Sequence, residues 1–131
     1  MVSTMNSRPV ERRGFTLIEL LVVMAALGLL LALAAPRYTR HVDGVREAVL
    51  KQNLQALRDA IDKFHADRAR YPAALDELTT ERYLRRVPID PVTDRDDTWV
   101  LVPPPGTSST VFDVHSGAPG KSADGSLYAS W

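Results

Sequence analysis

The feature that most limits how this chain can fold is an unbroken apolar run from Phe15 to Ala35. Eighteen of its 21 residues are hydrophobic, and the exceptions are Thr16, Glu19 and Gly28. As a helix rising about 1.5 Å per residue, the run spans about 31 Å, close to the hydrocarbon thickness of a bilayer. A small soluble domain could not hide this segment, so we expect it to cross a membrane.

The residues before the run are basic, with Arg8, Arg12 and Arg13 against a single acidic residue. By the positive-inside rule, the N-terminus stays in the cytoplasm and the following residues lie outside it. Three interpretations stay open: a cleaved secretory signal, a plain membrane anchor, or a run whose acidic residue has a function. The run exceeds the apolar part of a signal peptide, which is about 7 to 15 residues long.

Glu19 is the one charged residue within the run. A carboxylate costs about 2.5 to 3.5 kcal/mol at the centre of a bilayer and less near the interface. It therefore either reaches the interface or awaits a partner charge.

Composition excludes several classes of protein. After Ala35, 13 basic and 14 acidic residues are interspersed, so no basic face predicts nucleic-acid binding. The absence of cysteine removes disulfides, thiolate metal sites and cysteine nucleophiles. His41, His65 and His115 lack metal-ligand spacing, and no phosphate-binding loop, metalloprotease helix or nucleophile elbow is present. We therefore predict that the protein is not an enzyme.

A second periodic segment follows the run. One apolar stripe at helical spacing comprises Leu50, Leu54, Leu57, Ile61 and Phe64, with Val42, Val45 and Val49 extending it backwards. Pro36 lies between the segments, and because helical periodicity resumes directly, we expect a kink there. The alternative is that Pro36 ends the membrane helix. The prediction is one helix of some 50 residues, about 80 Å long, whose second half packs on a sheet.

Short elements are predicted after Arg70. Tyr71-Pro72 stops the helix, residues 73–78 predict a short helix, and residues 99–102 and 110–115 predict an antiparallel hairpin. An acidic cluster between them comprises Asp90, Asp94, Asp96 and Asp97. It lacks the glycine and closing glutamate of a helix–loop–helix calcium site, so we expect a solvated loop. An inter-subunit salt bridge to Arg85 or Arg86 is the alternative.

The stretch from Arg12 to Val23, RRGFTLIELLVV, carries a family resemblance. It resembles the class III signal sequence of type IV pilins and type II secretion pseudopilins. The resemblance implies cleavage between Gly14 and Phe15 by a prepilin peptidase, followed by N-methylation of Phe15. It also implies that Glu19 pairs with the N-terminal amine of a neighbouring subunit. Family members often have a proline at the position of Pro36.

The later part of the chain resembles the major pseudopilins of type II secretion, the G components. Their pattern is matched in order by Tyr71-Pro72, residues 84–88, Asp90-Pro91, Trp99, residues 113–118 and Trp131. The resemblance implies an α+β, pilin-like fold in which a long N-terminal helix, its first half transmembrane, packs on a small antiparallel sheet with a C-terminal loop.

The same resemblance implies calcium in that loop, with Ser116 and Asp124 as candidate ligands. However, Pro119-Gly120 stands where the family usually has an acidic residue. The alternative therefore stays open that the loop binds no metal and is held by Tyr128 and Trp131.

Four segments are predicted in total. Residues 1–14 form a cytoplasmic leader removed by the peptidase, 15–35 a transmembrane and polymerisation helix, 36–70 its amphipathic continuation, and 71–131 a periplasmic globular head. The expected location is the bacterial inner membrane, in a single pass, and then the periplasmic pseudopilus.

The expected function is that of a structural subunit of a type II secretion pseudopilus, whose filament drives protein export. The expected partners are other copies of the chain, minor pseudopilins, the prepilin peptidase and an inner-membrane assembly platform, with no nucleic acid. Two alternatives stay open: a type IV pilus or competence pilin, and a membrane-anchored binding domain acting alone.

Overall fold

The computed structural model describes residues 1–2 and 13–131, in two compact units, Met1–Tyr38 and Thr39–Trp131. The elements in chain order are helix α1 (Leu17–Arg68), helix α2 (Leu75–Thr80), strands β1 (Val100–Val102) and β2 (Asp113–His115), and a 3-10 turn (Tyr128–Ser130). Arg8 and Arg12, which belong to the expected leader, lie outside the described residues.

The first unit consists largely of the N-terminal part of α1. Every α1 residue up to position 38 is exposed. By length and composition, α1 is the one helix in the described part of the chain that could cross a membrane, and none of its most apolar window is buried. These side chains are therefore left for lipid or for other protein surfaces.

Helix α1 continues through Pro36 without a break. Proline lacks the N–H of an internal helical hydrogen bond, and its ring crowds the preceding turn, so it kinks or breaks many helices. The expectation that helical structure resumes after Pro36 is confirmed, and the alternative that Pro36 ends the helix is wrong. The kink itself stays a prediction.

The core of the second unit lies on one face of α1. The buried residues there are Leu50, Leu54, Leu57, Ala60, Ile61 and Phe64, which confirms the predicted stripe. The backward extension was wrong for Val45 and Val49, which are 52% and 38% exposed, whereas Val42 is partly buried. At about 100° per residue, the two exposed side chains lie about 140° and 100° around the helix from Leu50, away from the buried face.

Helix α1 ends at Arg68, and Ala69 adopts a left-handed conformation with φ of 55°. The predicted short helix appears as α2, shifted by two residues from 73–78 to Leu75–Thr80. The Glu77 carboxylate accepts the Ala73 N–H at 2.7 Å, just before α2 begins. Leu75 and Leu78 are buried and point into the core.

Strands β1 and β2 form the predicted antiparallel pair, with Val100 opposite His115 and Val102 opposite Asp113. Both are shorter than predicted. Trp99 precedes β1, and its indole N–H donates to the Pro88 carbonyl at 2.9 Å. Arg58 of α1 holds β2, because its Nε and Nη2 donate to Asp113 Oδ1 and to the Val114 carbonyl, each at 2.9 Å. The architecture is α+β and pilin-like, as expected.

Candidate functional site

Glu19 lies in the first turn of α1 and closes that turn with Thr16. The Thr16 N–H donates to Glu19 Oε2 at 3.1 Å, and the Glu19 N–H donates to Thr16 Oγ1 at 3.3 Å. This reciprocal pair is a capping box, in which two side chains satisfy N–H groups that the helix leaves unpaired. The carboxylate also lies at the positive end of the helix dipole. Glu19 thus has a polar partner within its own chain.

The charge of Glu19 singles it out in the sequence, but this cap and the role of Thr16 were not predicted. The signal was present, because Thr16-Leu17-Ile18-Glu19 is a Thr-x-x-Glu pattern directly before an apolar run. That pattern is typical of a capping box at a helix start.

Gly14 and Phe15, the expected cleavage position, immediately precede this cap. Both are exposed and lie outside regular secondary structure, and Phe15 is 93% exposed. Among the described residues, and apart from the two chain neighbours, no atom lies within 4 Å of where a Cβ would stand on Gly14. The segment is therefore open to a peptidase, while cleavage and methylation themselves stay predictions.

The two predicted metal ligands of the C-terminal loop, residues 116–131, belong to separate networks. Ser116 is fully buried, and its Oγ donates to Asp90 Oδ2 at 2.7 Å. Asp124 Oδ1 accepts hydrogen bonds from Ser122 Oγ and, at 2.9 and 2.6 Å, from the N–H and Oγ of Ser126. The hydrogen bonds from Ser122 and Ser126 hold the pKa of the Asp124 carboxyl well below its usual value.

These residues do not fit a calcium site. Calcium takes about six to eight oxygen ligands, several of them usually carboxylate oxygens. Asp124 is the one acidic side chain among residues 116–131, and the Ser116 hydroxyl is buried in the core. In the described ranges, no three or more His, Cys, Asp or Glu side chains are grouped so that they could hold a metal ion.

The acidic cluster is only partly solvated. Asp94, Asp96 and Asp97 are exposed as predicted, and Arg95 Nε donates to Asp97 Oδ1 at 2.7 Å. The prediction was wrong for Asp90, which is fully buried. Its Oδ1 accepts the Val92 N–H at 2.8 Å, and its Oδ2 accepts the Ser116 hydroxyl. A buried carboxylate is tolerated only with such donors, and Asp90 uses them to join its own turn to Ser116.

Two residues of α1 that the sequence analysis missed contact the C-terminal loop. Glu47 Oε1 accepts the Ala123 N–H at 2.8 Å and the Tyr128 hydroxyl at 3.0 Å. Lys51 Nζ lies 4.3 Å from the centroid of the Trp131 ring, a cation–π contact. The signal for Glu47 was its spacing, because it stands three residues before Leu50 and continues the apolar stripe with a carboxylate.

Two of the three histidines have structural contacts. His65 stacks on Tyr71 with ring centroids 4.0 Å apart and an interplanar angle of 4°. His115 Nδ1 lies 2.6 Å from the Trp131 carbonyl oxygen. These contacts give both rings a structural role.

Comparison with known proteins gives matches to both the N-terminal motif and the longer chain. Residues 11–35 match the family model of the prokaryotic N-terminal methylation motif. The chain is 30% identical over 131 residues to the type II secretion system core protein G of Pseudomonas aeruginosa, covering 85% of this chain and 87% of that relative. It is 31% identical over 97 residues to the protein of the same name from Klebsiella michiganensis, covering 62% of this chain and 68% of that relative.

A pilin is also similar to this chain, over a smaller part of its own length. The type IV major pilin protein PilA of Myxococcus xanthus is 38% identical over 77 residues, which cover 59% of this chain and 34% of the pilin. No solved structure matches the chain.

Proposed function

Because the chain belongs to the family of type II secretion system core protein G, we propose that it is a structural subunit of a type II secretion pseudopilus. The observation that carries this proposal is the similarity to two core G proteins over 87% and 68% of their lengths. That similarity extends well beyond the N-terminal methylation motif, which the family model matches at residues 11–35. The proposed role is structural rather than enzymatic, and the chain is a substrate of the prepilin peptidase.

The proposed mechanism begins in the inner membrane. Residues 15–35 hold the subunit there, with the basic leader in the cytoplasm and the head in the periplasm. Large side chains such as Leu17 and Leu31 are 85% and 68% exposed in the single chain. Moving a whole apolar segment of this kind into water costs tens of kcal/mol, at about 25 cal/mol per Å². The segment must therefore pass from lipid directly onto protein, and other copies of the chain supply that surface.

Glu19 sets the register of this transfer. Its capping partner, the Thr16 N–H, is a neutral donor, and a neutral donor stabilises a desolvated charge less than a cation does. Cleavage after Gly14 creates a positively charged amine on Phe15 of every subunit. A neighbour inserted at the right height places this amine at Glu19, whereas any other height leaves a charge unpaired in an apolar bundle.

Repetition of one head-to-tail contact that does not close generates a helical filament. Besides other copies of the chain, the proposed partners are minor pseudopilins and the inner-membrane assembly platform. The filament is proposed to drive exported proteins through the outer membrane.

The first experiment is N-terminal mass spectrometry of the chain after co-expression with a prepilin peptidase. We expect the mature chain to begin at a methylated Phe15. The matched control is Gly14→Leu, in which a bulky side chain at the cleavage position should leave the leader in place. An uncut leader on the unmodified chain would contradict the proposal and favour a membrane anchor that acts alone.

A type IV pilus subunit is the second candidate, favoured by the similarity to the Myxococcus pilin. Deletion in the native host separates the two. Loss of enzyme secretion supports the pseudopilin, whereas loss of surface fibres with normal secretion supports the pilin.

A further inference from the structure

We propose that the C-terminal loop folds without calcium, because Glu47 and Lys51 of α1 hold it in place of a metal ion. The proposal goes beyond the proposed function and does not depend on it, since it concerns only residues of the second unit. It departs from the family resemblance, which implies calcium in this loop.

The first support is a turn, residues 122–126, that closes on itself. The Ser122 N–H donates to the Ser126 carbonyl at 2.8 Å, and the Gly125 N–H donates to the Ser122 carbonyl at 3.0 Å. Gly125 has φ of 87°, a conformation that costs glycine little. Asp124 Oδ1 accepts three hydrogen bonds within the same turn. One of the two carboxylate oxygens of Asp124 is therefore already used to shape the backbone.

The second support is a pair of hydrogen bonds, here called the Glu47 clasp, that joins Ala123 and Tyr128 of the loop to Glu47 of α1. One oxygen of Glu47 accepts both the Ala123 N–H and the Tyr128 hydroxyl. Tyr128 packs edge-on against Trp131, with centroids 5.3 Å apart, and the Trp131 indole N–H donates to Ser126 Oγ at 2.8 Å. Glu47 therefore connects the turn and the aromatic pair to the helix. Hydrogen bonds to a charged acceptor are the stronger class in proteins.

The third support is the positive charge of Lys51, which lies close to Asp124 and Trp131. The Lys51 ammonium lies over the Trp131 ring and, after the hydrogen bonds from Ser122 and Ser126, its positive charge also lowers the pKa of Asp124. A lysine thus supplies positive charge beside the one acidic side chain of the loop. A divalent cation entering there would be repelled by that ammonium.

The test uses the full chain in detergent micelles, with calcium chloride as the probe. We expect calorimetry to show no saturable binding, and the Tm of the head to be the same in excess calcium and in excess chelator. Saturable binding of calcium, or a Tm that rises with it, would overturn the proposal. Because neither measurement involves secretion or filaments, failure here is distinct from failure of the proposed function.

Substitution tests the clasp itself. Lys121 is exposed within the loop, so trypsin cleavage after it reports loop opening. We expect Glu47→Ala to speed this cleavage about tenfold or more, since two hydrogen bonds to a charged acceptor are lost. Calcium should not restore protection. Glu47→Gln, which keeps an oxygen acceptor, should retain much of the protection.

The matched control is Asp62→Ala, which removes an exposed carboxylate from the same helix. It should leave the cleavage rate unchanged. If trypsin cleaves Glu47→Ala no faster than this control, the contacts of Glu47 do not hold the loop. The same conclusion follows if calcium restores the protection of Glu47→Ala. Should Glu47→Ala unfold the head, Lys51→Met provides the same test with one contact removed, and an unchanged cleavage rate there contradicts the role of Lys51.

Discussion

At the scale of single residues, Glu19 caps its own helix and has a proposed role between subunits. Its carboxylate caps α1 through Thr16, and in the proposed filament it also meets a positive amine. The cost of a charge in a bilayer was enough to single out this residue from the sequence. Its capping partner was predictable from the Thr-x-x-Glu spacing, whereas a partner in another subunit cannot be deduced from one chain.

We expect Glu19→Leu to insert normally into the membrane but to stop filament assembly. The substitution removes a charge that costs about 2.5 to 3.5 kcal/mol at the bilayer centre, so insertion does not suffer. It also removes the group that sets subunit height. Membrane fractionation measures the first effect, and electron microscopy of sheared filaments measures the second. Leu29→Ala is the control and should still assemble, while abundant filaments from Glu19→Leu would rule out the role of the carboxylate.

Asp113 carries a prediction about pH. Partial burial raises its pKa, but the Val114 N–H at 2.7 Å and Arg58 Nε at 2.9 Å outweigh this and hold the pKa below its usual value. A carboxylate with a lowered folded-state pKa stabilises the fold above its unfolded pKa, and that contribution is lost as pH falls through the folded value. We therefore expect the free energy of unfolding to fall as the pH drops below about 4.

Asp113→Asn isolates this group from the other acidic residues of the head. Denaturant unfolding over a pH series should give a shallower loss of stability in the variant than in the unmodified chain. Identical slopes would show that the ion pair with Arg58 contributes nothing to the acid response.

At the scale of elements, helix α1 was the most predictable part and the loops the least. The apolar stripe follows from its spacing alone, because periodicity is a local property of the sequence. The partners of Glu47 are 76 and 81 residues away along the chain, and no local pattern encodes such a pairing. The strands were predicted too long for a related reason. The Val111 N–H donates to the Pro72 carbonyl, so strand pairing is displaced towards Asp113.

Gly117 sits where two backbone segments come closest. A Cβ on this residue would lie 2.0 Å from the Thr98 carbonyl oxygen, which is itself backbone and cannot rotate away. We expect Gly117→Ala to lower the free energy of unfolding by about 1 to 3 kcal/mol, the usual cost of overpacking.

The matched control is Gly44→Ala in α1, where the space around a Cβ is open. It should raise stability by about 0.5 to 1 kcal/mol, since alanine favours helix. Denaturant midpoints measure both, and equal shifts would contradict the steric argument.

At the scale of the whole molecule, the chain divides into a segment without a core and a unit with one. Every α1 residue up to position 38 is exposed, whereas the buried cluster runs from Leu50 to Tyr128. Hydropathy alone predicted this division, because the apolar run exceeds what a small head can cover, whereas the α+β, pilin-like class was implied by the family resemblance. The proposed metal-free closure of the loop was not predictable to the same degree, since it depends on contacts between distant segments.

The division predicts that residues 39–131 fold without the apolar segment. The residues of the buried cluster all lie in this second unit, as do both partners of the Glu47 clasp and of the Arg58–Asp113 ion pair. We expect the fragment to be soluble and monomeric by sedimentation and to unfold in one cooperative step.

A shorter fragment, residues 56–131, is the matched control. It lacks Leu50 and Leu54, which are 0% and 2% exposed. Loss of a buried leucine side chain costs about 2 to 5 kcal/mol, so losing both exceeds the stability of a small domain. We therefore expect this shorter fragment not to fold. Aggregation of both fragments would show that the head depends on the segment before it.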